Sequence, residues 1–224
     1  MISPQRLVIE RLGNRGEGVA QLGGRRVFVP YALAGETVTA DVDGEQARLV
    51  DIIDAAPERI PPICPYFEDC GGCAVQALRP DAYAAWKRGL VETALANAGL
   101  AADVAPLVDA HGAGRRRVTF HARFESGEAR VGFMAARSHR IVEIDACPLL
   151  APELEGALDA ARAIAGTLAR RGKPLDTAVT ATLGGLDVEL RGAGPLDDSE
   201  TGALIAAADA HGLVRLTNHG RLVA

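Results

Sequence analysis

The run from Gly13 to Val42 reads GNRGEGVAQLGGRRVFVPYALAGETVTADV, and it decides the fold of the first part of the chain. Short segments rich in Val, Phe and Thr alternate with glycine-containing turns, a pattern that predicts short β-strands. The Gly23-Gly24 pair is typical of a tight hairpin. With flanking segments at 6–12 and 47–53, the run predicts five strands. Five short strands favour a small closed barrel, because closure removes exposed sheet edges.

Composition limits the kinds of protein that this chain can be. Its 224 residues are 48% hydrophobic and carry a net charge of −5. That charge argues against a uniformly basic nucleic-acid binder but allows a local basic face. No apolar run approaches the roughly 20 residues that cross a bilayer, and the N-terminus does not have the pattern of a secretory signal. We therefore expect a cytoplasmic monomer without a membrane partner.

Proline content predicts where the first domain ends. The segment AAPERIPPI, residues 55–63, contains three prolines, which favour an extended chain and cannot continue a strand ladder. We therefore predict a barrel at 1–56, a Pro-rich linker at 57–63 and a central α+β domain at 64–224.

The cysteines predict a metal centre within this central domain. Three of them lie in CPYFEDCGGC, the fourth is distant, and the set is Cys64, Cys70, Cys73 and Cys147. In a reducing compartment such thiols favour metal ligation or catalysis over disulfides. Structural zinc sites usually contain two close pairs, whereas Cys-Pro beside a ligand is typical of iron–sulfur sites. We expect all four to bind a 4Fe-4S cluster; a zinc site and free or catalytic thiols are the alternatives.

Residues 64–224 also contain helix and hairpin patterns. Helices are predicted at 80–98, 152–171 and 198–210, and hairpins turn at Ser126-Gly127 and Gly184-Gly185. The expected fold class is therefore α+β: an OB-like barrel followed by an α+β domain that carries an iron–sulfur cluster.

The first predicted helix has one apolar face. Tyr83, Trp86, Leu90 and Ala94 recur at spacings that place them on the same side of a helix. This pattern predicts that Trp86 lies in the core rather than stacked on RNA.

The segment 111–140 holds the main concentration of basic residues. Its arginines are Arg115, Arg116, Arg117, Arg123, Arg130, Arg137 and Arg140. Only Glu125 and Glu128 oppose them within the segment. The alternation in RVTFHARF predicts a strand with Val118, Phe120, Ala122 and Phe124 inside and Arg117, Thr119, His121 and Arg123 outside. A cationic sheet face fits a phosphate backbone; a merely solvated strand face is the alternative.

These motifs resemble known RNA-modifying proteins. The run from Gly13 to Val42 resembles a TRAM domain, an OB-like RNA-binding module. Together with the cysteine spacing, RRRVTFHARF and VGFMAARSHRIVEIDACPLLAPEL, it resembles the S-adenosylmethionine-dependent RNA uracil-C5 methyltransferases. The resemblance implies a structural 4Fe-4S cluster, binding of structured rRNA or tRNA, and a Rossmann-like domain for the methyl donor.

The expected RNA contacts combine both basic regions. They are Arg15, Arg25, Arg26, Tyr31, Arg115, Arg116, Arg117, Arg123, Arg137 and Arg140.

The resemblance also defines what this chain does not contain. Family chemistry needs a cysteine thiolate that attacks uracil C6 and a site for S-adenosylmethionine. No cysteine follows Cys147, and no suitable Gly-rich turn is present. We therefore expect an N-terminal portion without catalytic residues or a Rossmann-like domain, which binds RNA and is inactive alone. The alternatives are a stand-alone iron–sulfur redox protein and a zinc-stabilised RNA-binding adaptor.

Overall fold

The computed structural model describes residues 4–109 and 114–224, so His111 of the basic segment lies outside the described residues. The chain divides into two compact units. The first comprises Met1–Glu68 and Cys73–Val108, and the second comprises Asp69–Gly72 and Asp109–Ala224. Each unit is built around its own β-sheet.

A six-stranded sheet forms the first unit. Its strands are β1 (Gln5–Val8), β2 (Arg11–Leu12), β3 (Gly18–Leu22), β4 (Arg25–Val29), β5 (Thr37–Asp43) and β6 (Gln46–Asp54). They are ordered β1-β5-β6-β4-β3-β2. Small apolar side chains fill the interior: Leu7, Ile9, Ala20, Val27, Val29, Ala32, Val38, Ala40 and Ala47.

The two end strands of this sheet meet. Only Ile9 and Glu10 separate β1 from β2 in the chain. The Ile9 N–H donates to Glu36 O at 2.8 Å, and the Glu10 N–H donates to Val19 O at 2.8 Å. The chain thus passes from the β5 side to the β3 side, which curls the sheet into a barrel. For the same reason, the single strand predicted at 6–12 is two strands.

A buried ion pair fastens the Pro-rich segment to the barrel. Glu36 is fully buried and accepts hydrogen bonds from the Leu33 N–H at 2.7 Å and the Ala56 N–H at 3.3 Å. The Arg59 guanidinium binds both carboxylate oxygens, and its Nη2 also donates to Tyr31 O at 2.7 Å. Burial alone raises the pKa of Glu36, but the hydrogen bonds from Arg59 and Leu33 lower it below its ordinary value.

Helix α1 (Pro80–Asn97) follows in the same unit. The prediction that Trp86 lies in the core was wrong, because no residue of α1 is fully buried. Ala82 and Tyr83 in its first turns pack against Leu33, Ala56 and Leu78. Ala94, in a later turn, is exposed.

The second unit contains a seven-stranded sheet. Its strands are β7 (Arg117–Glu125), β8 (Glu128–Met134), β9 (Ile141–Glu143), β10 (Leu175–Thr182), β11 (Gly185–Arg191), β12 (Leu213–Asn218) and β13 (Arg221–Leu222). They are ordered β13-β12-β11-β10-β7-β8-β9. Only the β11–β12 pair is parallel among the pairs in this sheet. The predicted hairpins at 126–127 and 184–185 are confirmed by the β7–β8 and β10–β11 pairs.

Two helices cover one face of this sheet. They are α2 (Ala157–Thr167) and α3 (Asp198–Ala210). The predicted helix at 152–171 is shorter because Gly156 adopts φ 77°, which breaks the helical backbone. Alternate strand residues such as Phe120, Val179 and Val188 are buried on the helix side.

The expected fold class was wrong for the second part of the chain. It is a sheet-rich domain, whose core consists of strand residues and the apolar sides of α2 and α3. It is not an iron–sulfur domain: within residues 4–109 and 114–224, no group of three or more Cys, His, Asp or Glu is arranged to hold a metal ion. No described helix is long and apolar enough to span a membrane.

Arg171 holds the loop before α3 in place. Its guanidinium binds the Glu200 carboxylate and donates to the carbonyls of Ala193 and Pro195. The hydrogen bond from Arg171 is the main reason that the pKa of Glu200 falls to about 2. Asp197 and Glu200 also form a capping box at the start of α3. One cation therefore fixes both the loop and the helix that follows it.

Replacing Arg59 with methionine should destabilise the first unit. The change leaves the Glu36 carboxylate buried without its cation, so we expect the free energy of unfolding to fall by about 3 kcal/mol in urea titrations. The control is Arg48→Met: the Arg48–Asp41 pair is mostly exposed on the arginine side, so its loss should cost under about 1 kcal/mol. Equal effects of the two variants would contradict the assigned role.

The Arg59 pair also predicts a pH dependence. Because the folded-state pKa of Glu36 is lowered, its stabilisation is present above the ordinary glutamate pKa. It is lost as pH falls through the lower folded-state value. In Arg59→Met burial opposes fewer hydrogen bonds, so the folded-state pKa of Glu36 rises and less stability depends on its ionised form. Thermal melts from pH 7 to pH 3 would show this as a lower starting stability and a shallower decline for the variant.

Replacing Arg171 with glutamine should loosen the loop at 193–196. Amide hydrogen exchange of the loop and the first turn of α3 should accelerate, because two carbonyls and one carboxylate lose their donor. Arg170→Gln is the matched control, since Arg170 is exposed in the same short turn. Unchanged exchange in Arg171→Gln would refute the role of Arg171.

Candidate nucleic-acid interface

The sheet of the second unit presents a polar face opposite its helices. We call it the open face and define it by residues of four adjacent strands. These are Arg117, Thr119, His121 and Arg123 of β7, Asp176, Ala178 and Thr180 of β10, Asp187, Glu189 and Arg191 of β11, and Arg215 and Thr217 of β12. The prediction that alternate residues of β7 face the core is confirmed for Val118, Phe120 and Ala122, which are buried.

Strand register arranges the open face in rows. Arg117 lies opposite Thr180, which lies opposite Asp187, which lies opposite Arg215. A shallow groove of about 550 Å³ runs over these residues. A cation therefore stands at each end of one row that crosses four strands.

Carboxylates neutralise several cations of this face. Asp187 accepts from Arg215 at 3.0 and 2.6 Å, and Glu189 pairs with Arg191. The hydrogen bond from Arg191 is the main reason that the pKa of Glu189 is lowered. Two of the four arginines on the open face are thus paired with acids of the same face.

Two arginines of the open face keep their charge available. Arg117 donates to Thr180 Oγ1 at 3.3 Å, and Arg123 donates to the carbonyl of Ala122 at 2.9 Å. Within the described residues, neither forms an ion pair with a carboxylate. By contrast, Arg130 on β8 pairs with both Glu125 and Glu143. Arg117 and Arg123 are therefore the cations best able to bind a phosphate.

Other predicted RNA contacts lie off the open face. Arg115 and Arg116 are exposed just before β7. Arg137 and Arg140 lie between β8 and β9, where Arg140 is 3.8 Å from Asp69. The structure therefore does not place the whole basic segment on one surface.

In the first unit, the predicted contacts separate into two groups. Arg15 precedes β3 and Tyr31 follows β4, at the end of the hairpin where Gly18 pairs with Val29. Arg25 and Arg26 lie at the opposite end, beside the turn. Tyr31 packs edge-on against Phe67, with ring centroids 5.2 Å apart. These four residues do not form one contiguous RNA site.

The sequence interpretation missed Arg191 and Arg215. Arg191 ends the alternating segment Leu186–Arg191, whose pattern already predicts a polar face. No local signal identifies Arg215, because its neighbour Asp187 comes from a parallel strand far away in the chain.

The four cysteines form no disulfide with one another: Cys64, Cys70, Cys73 and Cys147. In the first unit, Gln76 accepts from the Cys64 N–H at 3.2 Å and donates to Cys73 Sγ at 3.2 Å. In the second unit, the Gly72 N–H donates to Cys70 Sγ at 3.4 Å. The set is divided between the units, with Cys64 and Cys73 in the first and Cys70 and Cys147 in the second. Their role as metal ligands stays a prediction from their spacing.

Comparison with known proteins gives a consistent assignment. The TRAM domain family matches residues 3–46. An uncharacterized RNA methyltransferase of Brucella suis is 38% identical over 217 residues, covering 97% of this chain and 52% of the relative. The 23S rRNA (uracil(1939)-C(5))-methyltransferase RlmD of Pseudomonas savastanoi is 36% identical over 228 residues, covering 96% of this chain and 50% of the relative.

These alignments run through both units of the structure. The chain spans about half the length of these curated relatives. The match therefore includes the sheet-rich second domain as well as the barrel, and over both units the chain is similar to RNA methyltransferases, among them a 23S rRNA uracil-C5 methyltransferase.

Proposed function

We propose that this chain is the RNA-binding portion of an S-adenosylmethionine-dependent RNA uracil-C5 methyltransferase that acts on 23S rRNA or tRNA. The TRAM match and the names of the relatives support RNA as the partner. The observation that carries the proposal is the open face, where Arg117 and Arg123 have no carboxylate partner among the described residues.

Phosphate binding by the open face follows from its chemistry. A guanidinium donates paired hydrogen bonds to phosphate oxygens and remains charged at neutral pH. Arg117 already lies beside the Thr180 hydroxyl, which can donate to the same phosphate. The row from β7 to β12 covers three strand spacings, about 14 Å. One RNA strand that crosses the sheet would therefore place different phosphates at Arg117 and Arg215.

The acids of the open face limit how tightly it binds RNA. Arg215 can bind a phosphate only by sharing or leaving Asp187, and Arg191 must do the same with Glu189. Counterion release contributes affinity only for cations that actually contact phosphates. We therefore expect moderate affinity that depends on a few contacts, in line with the net charge of −5.

Methyl transfer itself needs groups that we do not assign to this chain. Uracil C5 becomes nucleophilic after a thiolate adds to C6, and a base must then remove the C5 proton. No cysteine follows Cys147 in the sequence. In this proposal the chain holds the RNA, and S-adenosylmethionine chemistry takes place in a further domain.

Replacing Arg117 with alanine should weaken RNA binding. The variant loses a charged contact, so we expect about tenfold lower affinity for a 23S rRNA fragment at low salt. The slope of log affinity against log salt concentration should fall by about 1. Fluorescence anisotropy at several KCl concentrations measures both quantities.

Two further variants make this experiment specific. Arg170→Ala removes an exposed arginine that follows α2, away from the open face, and should leave affinity and slope unchanged. Asp187→Asn frees Arg215 and should tighten binding. Equal weakening by Arg117→Ala and Arg170→Ala would exclude the open face as the binding surface.

Residues 1–224 alone should transfer no methyl group to RNA. Incubation with radiolabelled S-adenosylmethionine and unmodified 23S rRNA should give no label above background. The reason is that the proposal places the attacking thiolate and the methyl-donor site in a further domain. Full-length RlmD is the positive control. Appearance of 5-methyluridine with residues 1–224 would contradict this division of roles.

A further inference from the structure

A second pocket adjoins the open face at the turn between β12 and β13. Its volume is about 560 Å³. One wall is the loop before α3, and the other contains Asn218, His219 and Arg221. Gly220 of the same turn lines the groove of the open face. An RNA strand in that groove therefore needs to pass only this turn to reach the pocket.

The turn places an aromatic ring beside the pocket. Asn218 pairs with Arg221, so His219 and Gly220 form a two-residue turn, with φ 48° and 77°. Both positions are left-handed, which asparagine and glycine adopt more easily than histidine. His219 is nevertheless exposed, and its Nε2 accepts the Gly192 N–H at 3.2 Å. This hydrogen bond holds the ring in place.

The walls of the pocket are held by hydrogen bonds. Arg171 binds the carbonyls of Ala193 and Pro195 from one side. Asn218 Nδ2 donates to Gly194 O at 2.8 Å. Because a carbonyl oxygen can only accept, the amide atom that faces Gly194 O is the nitrogen, and the other amide atom is the oxygen Oδ1. The residue Asn218 as a whole is 8% exposed.

The Asn218 oxygen is an unused acceptor. Oδ1 is buried and has no hydrogen-bond partner in the described part of the chain. A buried polar atom without a partner costs free energy that a bound donor would recover. Asn218 itself lines the pocket, so its amide lies beside the space that a ligand would occupy.

We propose that this pocket binds one unstacked nucleobase of the RNA that crosses the open face. The base stacks on His219, one of its N–H groups donates to Asn218 Oδ1, and Arg221 contacts the adjacent phosphate. Single-stranded bases are commonly recognised by aromatic stacking combined with hydrogen bonds to their edges. This inference rests on the proposed RNA-binding function and adds a base site to its phosphate-binding surface.

His219→Asn tests the base site without disturbing the turn. Asparagine before glycine favours the same turn, so the fold should be kept. Loss of the stacking ring should lower affinity for single-stranded RNA about tenfold. The slope of affinity against salt should stay unchanged, because no phosphate contact is removed. Arg117→Ala, measured in parallel, should lower that slope.

A second measurement uses the unaltered protein. The RNAs are oligoribonucleotides that carry 2-aminopurine at successive positions. At one position the fluorescence should change strongly when the original protein binds, and this change should be much smaller when His219→Asn binds. Equal affinity of His219→Asn and the original protein, or no such position, would overturn the base site while leaving the phosphate surface intact. If the original protein binds no RNA, both the base site and the proposed function are wrong.

Discussion

The alternation of side chains along the central strands of the second unit is the constraint on which the interface depends. Along β7, β10 and β11, every second residue is buried beneath α2 and α3. The remaining residues must then face away from the helices, whatever their charge. Because burying an ion alone costs several kcal/mol, the arginines and acids of these strands collect on the open face. The position of Arg117 is therefore a consequence of burying Val118 and Phe120.

Local patterns in the sequence were sufficient to predict much of the fold. The glycine-rich turns and alternating strands predicted the strands of the barrel and the hairpins of the second unit. They also predicted which residues of β7 face outward. They could not predict that β7 pairs with β10, or that β11 lies parallel to β12, because those pairings join distant segments. Arg117 and Arg123 were thus predictable, whereas Arg191, Arg215 and their partners Glu189 and Asp187 were not recognised.

Other differences from the sequence prediction have similar causes. Arg59, in a segment interpreted as a linker, is fixed by Glu36, a partner that only the folded barrel provides. Helical periodicity predicted an apolar face around Trp86, but periodicity does not say whether a partner is present. In both cases the missing information was a non-local contact.

Ultraviolet crosslinking of bound RNA, followed by mass spectrometry of the peptides, tests the central claim most directly. This account predicts crosslinks in β7, β10, β11 and the turn between β12 and β13, around Arg117, Arg123 and His219. Crosslinks confined to α2 and α3, on the other side of the sheet, would contradict it.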